Sequence, residues 1–443
     1  MQWSLAAKTH RMKQKLLLSP LVGLTILFGV LCLQQIRAEA QVIPVRIVSN
    51  SSGMWQMLRG GRPYFVNGAG GNQKLDLLKA SGGNSIRTWG AETAQSDLDA
   101  AQKLGLTATI GIWLGHKEHG FHYDDPKAVA DQLAKARETV TKYKNHPALL
   151  IWGLGNEMEG DGNDPTVWKA VEAVARMVKQ VDPNHTTMTV IAELGANNIK
   201  AKQVKALCPD IDILGVNSYG GAASVPQRLK AAGWTKPYII TEFGPNGPWE
   251  VGKTKWGAPL EPTSTEKAKS YAERYTAGIA GQKGWCLGSY VFLWGDKAEG
   301  TPTWFGMFLP GTGERLGTVD AMTRAWSGKA PAQTVPEISS VNSSAALKEV
   351  APGSRQTVTV AASGTGTLTI GYEIRAEMGN HNNHEPGQHT SVAQTGSVPT
   401  ASASNTEQAF TVPTESGAYR LFITVHDKSG GAATANIPFF VKP

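Results

Sequence analysis

The chain has 443 residues, 41% of them hydrophobic and 18% charged, which is more than one compact core usually holds and too ordinary a composition for disorder. Its formal charge of +7 is concentrated at the N-terminus: Lys8, Arg11, Lys13, Lys15 and Arg37 against Glu39 account for +4, leaving +3 for everything after residue 40. So weak and scattered an excess excludes nucleic acid as the expected partner, while 13 tryptophans direct attention to flat, apolar-faced ligands such as sugars.

Residues 1–40 have the pattern of an export signal. A cationic stretch reaches Lys15, an apolar run extends from Leu16 to Leu33, and Ala38-Glu39-Ala40 forms a small-x-small cleavage site before Gln41. The apolar run is 18 residues long, above the roughly 7 to 15 of a signal core, so an uncleaved anchor through residues 16–33 is the alternative. The chain is therefore expected to be exported, to the periplasm or the cell exterior, and to touch a membrane only if this segment is retained. Leu31 before Cys32 argues against a lipoprotein site. Cys208 and Cys286 are read either as a disulfide or as two buried free thiols.

After a lead-in over residues 41–62, short apolar runs alternate with helix-period segments. The predicted strands are 63–68, 85–89, 107–113, 148–156, 187–191, 211–217, 238–242 and 287–294. Between them, Val129, Leu133, Ala136 and Val140 share one helix face, as do Val167, Val171, Val174, Val178 and Val181, with Asp164 as cap and Pro165 in the first turn. Eight such alternations predict a (β/α)8 TIM barrel over residues 63–329, near the ~250 residues typical of that fold. A doubly wound sheet would also alternate, but "NGAGGNQ" after the first strand lacks the GxGxxG spacing of a phosphate loop. Residues 330–338, rich in Pro, Ala and Ser, read as a linker. From 339 to 443, period-two runs such as "QTVTVAA" and "AYRLFITVHD" predict an immunoglobulin-like β-sandwich serving as an accessory spacer. His381, His384 and His389 in one of its loops read as a solvated loop, since neither Cys nor paired carboxylates accompany them, and no metal or cofactor is expected.

In a barrel, chemistry gathers at the carboxyl ends of the strands. Those ends carry Arg87 and Trp89 on the second strand, Trp113 on the third, Asn156 and Glu157 on the fourth, Asn217 and Tyr219 on the sixth, Glu242 on the seventh and Trp294 on the eighth. Any one of these has a structural explanation, but together they place two carboxylates at one mouth. Double displacement at a glycosidic bond requires such a pair, about 5 to 5.5 Å apart, one as acid and one as nucleophile. Trp249, Trp256 and Trp304, in the loops after strands seven and eight, are placed to stack on further sugar units.

At "HPALLIWGLGNE", "DILGVNSYGG" and "PYIITEFGP" the chain resembles the clan of retaining glycoside hydrolases with glutamates on strands four and seven, and most of all the catalytic domain of glycoside hydrolase family 2. The resemblance spans roughly Tyr64 to Trp326. It implies Glu157 as acid/base, Glu242 as nucleophile, Asn156 as donor to the sugar 2-hydroxyl, Tyr219 as hydrogen-bond partner of the nucleophile, Arg87 as a positioning cation, and Trp294 as floor of the cleavage subsite. Two departures stand out. Family members usually carry a jelly-roll and an immunoglobulin-like domain before the barrel, whereas here a short lead precedes it and a sandwich follows. The second-strand motif "NSIRTWG" is closer to family 5 mannanases and glucanases. The resulting expectation is a retaining, monomeric hydrolase of β-linked oligo- or polysaccharides. The alternatives are a transglycosylase on the same scaffold and a noncatalytic glycan-binding envelope protein, for which loss of either glutamate would be the expected trace.

Overall fold

The computed structural model describes residues 41–377, 392–400 and 403–443. The export segment and the loop with His381, His384 and His389 lie outside the described residues. Strands β1 (Val45–Ser49), β2 (Trp55–Arg59) and β3 (Arg62–Tyr64) form a small antiparallel sheet. It puts Val45 and Met57 into one buried cluster with Val66, Ile151, Val190, Ile239 and Tyr290 of the barrel strands, closing the barrel's amino end. The first barrel strand thus begins at Val66. Pro63, which has no N–H to give to a ladder, sits on the edge strand β3 instead.

Eight parallel strands then close into a barrel: β4 (Val66–Gly70), β5 (Ser85–Arg87), β6 (Thr107–Ile112), β7 (Leu149–Asn156), β8 (Thr186–Ala192), β9 (Ile213–Asn217), β10 (Tyr238–Phe243) and β11 (Cys286–Val291). The helices around it are α1 (Leu75–Ala80), α2 (Ala94–Lys103), α3 (Pro126–Tyr143), α4 (Pro165–Val181), α5 (Ile199–Leu207), α6 (Val225–Ala231), α7 (Ser264–Arg274) and α8 (Gly317–Ser327). Helices α3 and α4 start alike, with Asp125 or Asp164 accepting from the N–H two residues on and a proline in the first turn. Val167, Val171, Val174 and Val178 of the α4 stripe are buried as their spacing demands, and Val181 at its end is half-buried. Cys208 and Cys286 are buried free thiols, both pushed up to about 12 by desolvation. Among the described residues no helix is long and apolar enough to cross a membrane.

The C-terminal domain is a two-sheet sandwich. One sheet has β12 (Glu337–Ser343), β14 (Arg355–Ser363) and β17 (Ala403–Thr411); the other has β13 (Glu349–Val350), β19 (Ala432–Val441), β18 (Gly417–His426), β15 (Leu368–Ala376) and β16 (Val392–Thr400). It is seated on the barrel rather than tethered to it. In the segment read as a linker, Val335 is buried and donates its N–H to Asp320 at 2.9 Å, and Ile338 donates to Thr265 Oγ1 of α7 at 2.9 Å. A buried polar cluster spans the seam. Glu261, in the loop after β10, pairs with Lys267 of α7 and accepts from Asn436 of β19 at 2.6 Å. Arg420 of β18 donates to Asn436 Oδ1 at 2.6 Å, to the Pro259 carbonyl at 3.0 Å, and pairs with Glu377 at 2.7 Å. Lys267 also reaches the Thr303 carbonyl, in the loop after β11, at 2.7 Å. The sandwich therefore holds both loops that follow the last two barrel strands.

Candidate active site

Two register shifts build the site. Between Leu154 and Asn156 the pairing of β7 with β8 slips by a residue at Gly155, whose φ is +73°. A Cβ there would lie 2.3 Å from the Met158 sulfur, so only glycine fits the bulge. The bulge re-aims the residues after it. Asn156 ends the strand, and Glu157 follows at φ +55°, a left-handed conformation that costs a non-glycine residue roughly 1–2 kcal/mol. Its N–H donates to the Val190 carbonyl at 3.0 Å, and its carboxylate accepts from Asn217 Nδ2 at 2.7 Å. A second shift falls between Ile240 and Glu242 in the pairing of β10 with β9, setting Glu242 opposite Asn217.

Glu242 is 5% exposed and surrounded by donors. Oε1 accepts from Arg87 Nη1 at 2.9 Å and from Trp89 Nε1 at 2.7 Å, and Oε2 accepts from the Tyr219 hydroxyl at 2.7 Å. Burial, followed by the negative charges of Glu242 and Glu157, raises Tyr219 well above its ordinary value, so it remains a donor at all physiological pH. Arg87 also donates through Nη2 to Asn156 Oδ1 at 2.6 Å, and Asn217 Nδ2 lies 3.1 Å from the same oxygen. With its oxygen taken twice, Asn156 keeps its Nδ2 amide as the group to donate to a ligand. Thr241 Oγ1 fixes the Asn217 amide by donating to Oδ1 at 2.7 Å. One network thus joins both glutamates through Arg87, Asn156 and Asn217.

The aromatic surround differs from the expected one. Trp294 is fully buried, packed edge-on against Phe308 and tilted on Trp326, so it belongs to the outer core and does not floor the site. Phe292, the first residue past β11, takes that place: its ring meets Trp89 at 5.8 Å, Tyr219 at 5.9 Å and Phe305 at 5.3 Å. Proximity to the strand end was the available signal, and residue type outweighed it. Trp249 is 47% exposed and stands edge-on to Tyr219 at 5.7 Å, over the site. Trp256 packs on Phe440 of the sandwich, 5.7 Å between rings, and so serves the domain seam rather than a sugar. Trp304 is buried and donates to the Asn246 carbonyl at 2.9 Å. Trp113 is exposed at the end of β6, on the flank away from Glu242. Lys297, unremarked in the sequence, lies over the Phe292 ring at 5.6 Å and pairs with Glu299 at 2.6 Å. Among the described residues no cluster of His, Cys, Asp and Glu is arranged to hold a metal.

Tyr219→Phe tests the network. It removes one of three donors from a buried carboxylate without changing shape, an expected cost of about 1.5–3 kcal/mol in the transition state, read as a kcat/KM some 10- to 100-fold lower. Unchanged kinetics would remove Tyr219 from the site.

A closed parallel barrel with glutamates ending its fourth and seventh strands, joined by Arg, Asn and Tyr, is similar to the barrels of clan A glycoside hydrolases, and most of all to the catalytic domain of family 2. Residues 73–277 match the model of the TIM barrel domain of glycosyl hydrolases family 2. The match is to family 2, not to the family 5 enzymes that the second-strand motif resembles. A putative β-glucuronidase of Formosa agariphila is 32% identical over 170 residues, 38% of this chain and 14% of that one. The β-glucuronidase of Streptococcus agalactiae is 27% identical over 213 residues, 41% of this chain and 34% of that one. The solved β-D-glucuronidase of Dictyoglomus thermophilum shares the fold at a TM-score of 0.51 and 20% identity, over 65% of this chain and 54% of that one. The chain thus spans well under two thirds of the relatives it matches.

Proposed function

We propose that the protein hydrolyses β-glycosides with retention, through a covalent glycosyl-enzyme. The observation that carries this reading is the carboxylate of Glu242, held by three donors beside a second glutamate that shares its network. An acceptor oriented by Arg87, Trp89 and Tyr219 is suited to attack the anomeric carbon. Glu157 gives its proton to the departing oxygen as that bond breaks, then takes a proton from the water that attacks the Glu242 ester and releases the sugar. Asn156 Nδ2 is placed to hold the hydroxyl next to the anomeric centre. The relatives named as β-glucuronidases suggest one glycone, but the two cations near the glutamates, Arg87 and Lys297, are each already paired with a carboxylate. The glycone is therefore best found with 4-nitrophenyl β-glycosides of glucose, galactose, mannose and glucuronic acid. Proton NMR of the first product formed should show the β-anomer. A first-formed α-anomer would replace double displacement by a single inversion, and no cleavage of any glycoside would remove the hydrolase reading. We further infer an exported protein, on the strength of the cationic, apolar and Ala-Glu-Ala pattern of residues 1–40.

A further inference from the structure

A second groove lies apart from the glutamates. It has a volume of about 670 Å3, within the roughly 300–1,000 Å3 of ligand sites, and runs from the end of β6 along the outer face of α3. Trp113, His116 and His119 line it together with Glu92 and with Asp131, Gln132 and Lys135 of α3. The three rings form a parallel stair: Trp113 on His116 at 4.8 Å and 15°, His116 on His119 at 5.2 Å and 21°. Burial holds His116 below the usual imidazole value, so the middle step is uncharged near neutral pH. Trp113 is about half exposed.

We propose that this groove binds the leaving-group side of the substrate, a short chain of neutral β-linked sugars, resting on the glycosidase reading above. Three observations assign it. Position comes first: β6 pairs with β7, the strand that presents Glu157, while Glu242 is on β10 across the barrel. The proton donor stands beside the leaving group in double displacement, so sugars beyond the scissile bond extend toward β6. Chemistry is second. Flat aromatic rings suit the C–H faces of pyranoses, and the carboxylates, lysine and amide that share the lining offer acceptors and donors of both signs, as hydroxyls require and an anionic ligand does not. Third is size, since the groove has room for more than one ring and lies outside the pocket around Glu242.

The test uses the full chain and two kinds of substrate with the same glycone: its 4-nitrophenyl β-glycoside, whose leaving group is a single small ring, and the β-1,3- and β-1,4-linked tetrasaccharides. Trp113→Ala removes the exposed step, and Ala128→Trp fills the groove from the surface of α3. Both variants are expected to lower the ratio of tetrasaccharide to aryl-glycoside kcat/KM by roughly tenfold, and wild type should release a trisaccharide from the leaving side. The proposal is overturned if the ratio does not move in either variant, or if wild type cleaves the aryl glycoside but no tetrasaccharide. Failure of wild type on both substrates would instead overturn the glycosidase reading on which it rests.

Discussion

Replacing Glu157 by Gln is expected to slow cleavage of an unactivated β-glycoside by roughly 10²–10⁴-fold, because on the proposed mechanism the leaving oxygen loses its proton donor. With a 2,4-dinitrophenyl leaving group, which departs without a proton, the same variant should still form the glycosyl-enzyme. Its second step then stalls for want of a base. Added azide, an anion that needs no deprotonation, should restore turnover and give a β-glycosyl azide. Glu242→Gln removes the proposed nucleophile, so neither an activated leaving group nor azide should offer the same route, and mass spectrometry should find no sugar on the protein. The reverse pattern, an adduct on Glu242→Gln and none on Glu157→Gln, would exchange the two roles. Full activity in both variants would remove the site.

Lys267→Met is expected to be the most destabilising single change outside the site. The Glu261 side chain is buried at the seam between barrel and sandwich, and without Lys267 it loses its direct ion-pair partner and keeps only the hydrogen bonds from Asn436, Thr301 and Thr303 and the charge of Arg420, a loss of up to about 3–5 kcal/mol. The double variant Lys267→Met, Glu261→Leu should recover most of that loss, since the unpaired charge is gone. For the same reason a chain ending near Ala330 should melt lower and cleave less well than the whole. Its loop after β10, which carries Trp249 over Tyr219, would lose the Arg420 contact at Pro259 and the Asn436 contact at Glu261. Denaturant titration of the full chain and kinetics of the shortened one provide the check. A Lys267→Met protein as stable as wild type, or a shortened chain with unaltered KM and kcat, would reduce the sandwich to the spacer its sequence suggested.

The barrel was legible because its signals are local. Apolar runs of strand length, amphipathic helix spacing and the Asp-Pro starts of α3 and α4 report burial and capping residue by residue, and each recurs in the structure. The polar ends of strands two, four, six and seven were legible too, since Arg87, Asn156, Glu157, Asn217, Tyr219 and Glu242 interrupt apolar stretches that have no packing need for them. The structure brings these six into one hydrogen-bonded network.

Aromatic roles were not legible. Tryptophans 113, 249, 256, 294 and 304 look alike in a sequence, but their partners come from elsewhere in the chain. Trp256 finds Phe440 some 180 residues on, Trp294 turns to Phe308 and Trp326, and Phe292 rather than any tryptophan meets Trp89 and Tyr219. The sequence by itself determined the barrel, the sandwich and the carboxylate pair, because periodicity and polarity are properties of neighbouring residues. Only the tertiary structure decided where the glutamates point, through register shifts in β7 and β10 that exist only between paired strands. It alone decided that the sandwich is welded to the active-site loops, because the burial of Glu261, Lys267 and Arg420 depends on three segments meeting, and no one of them records the others.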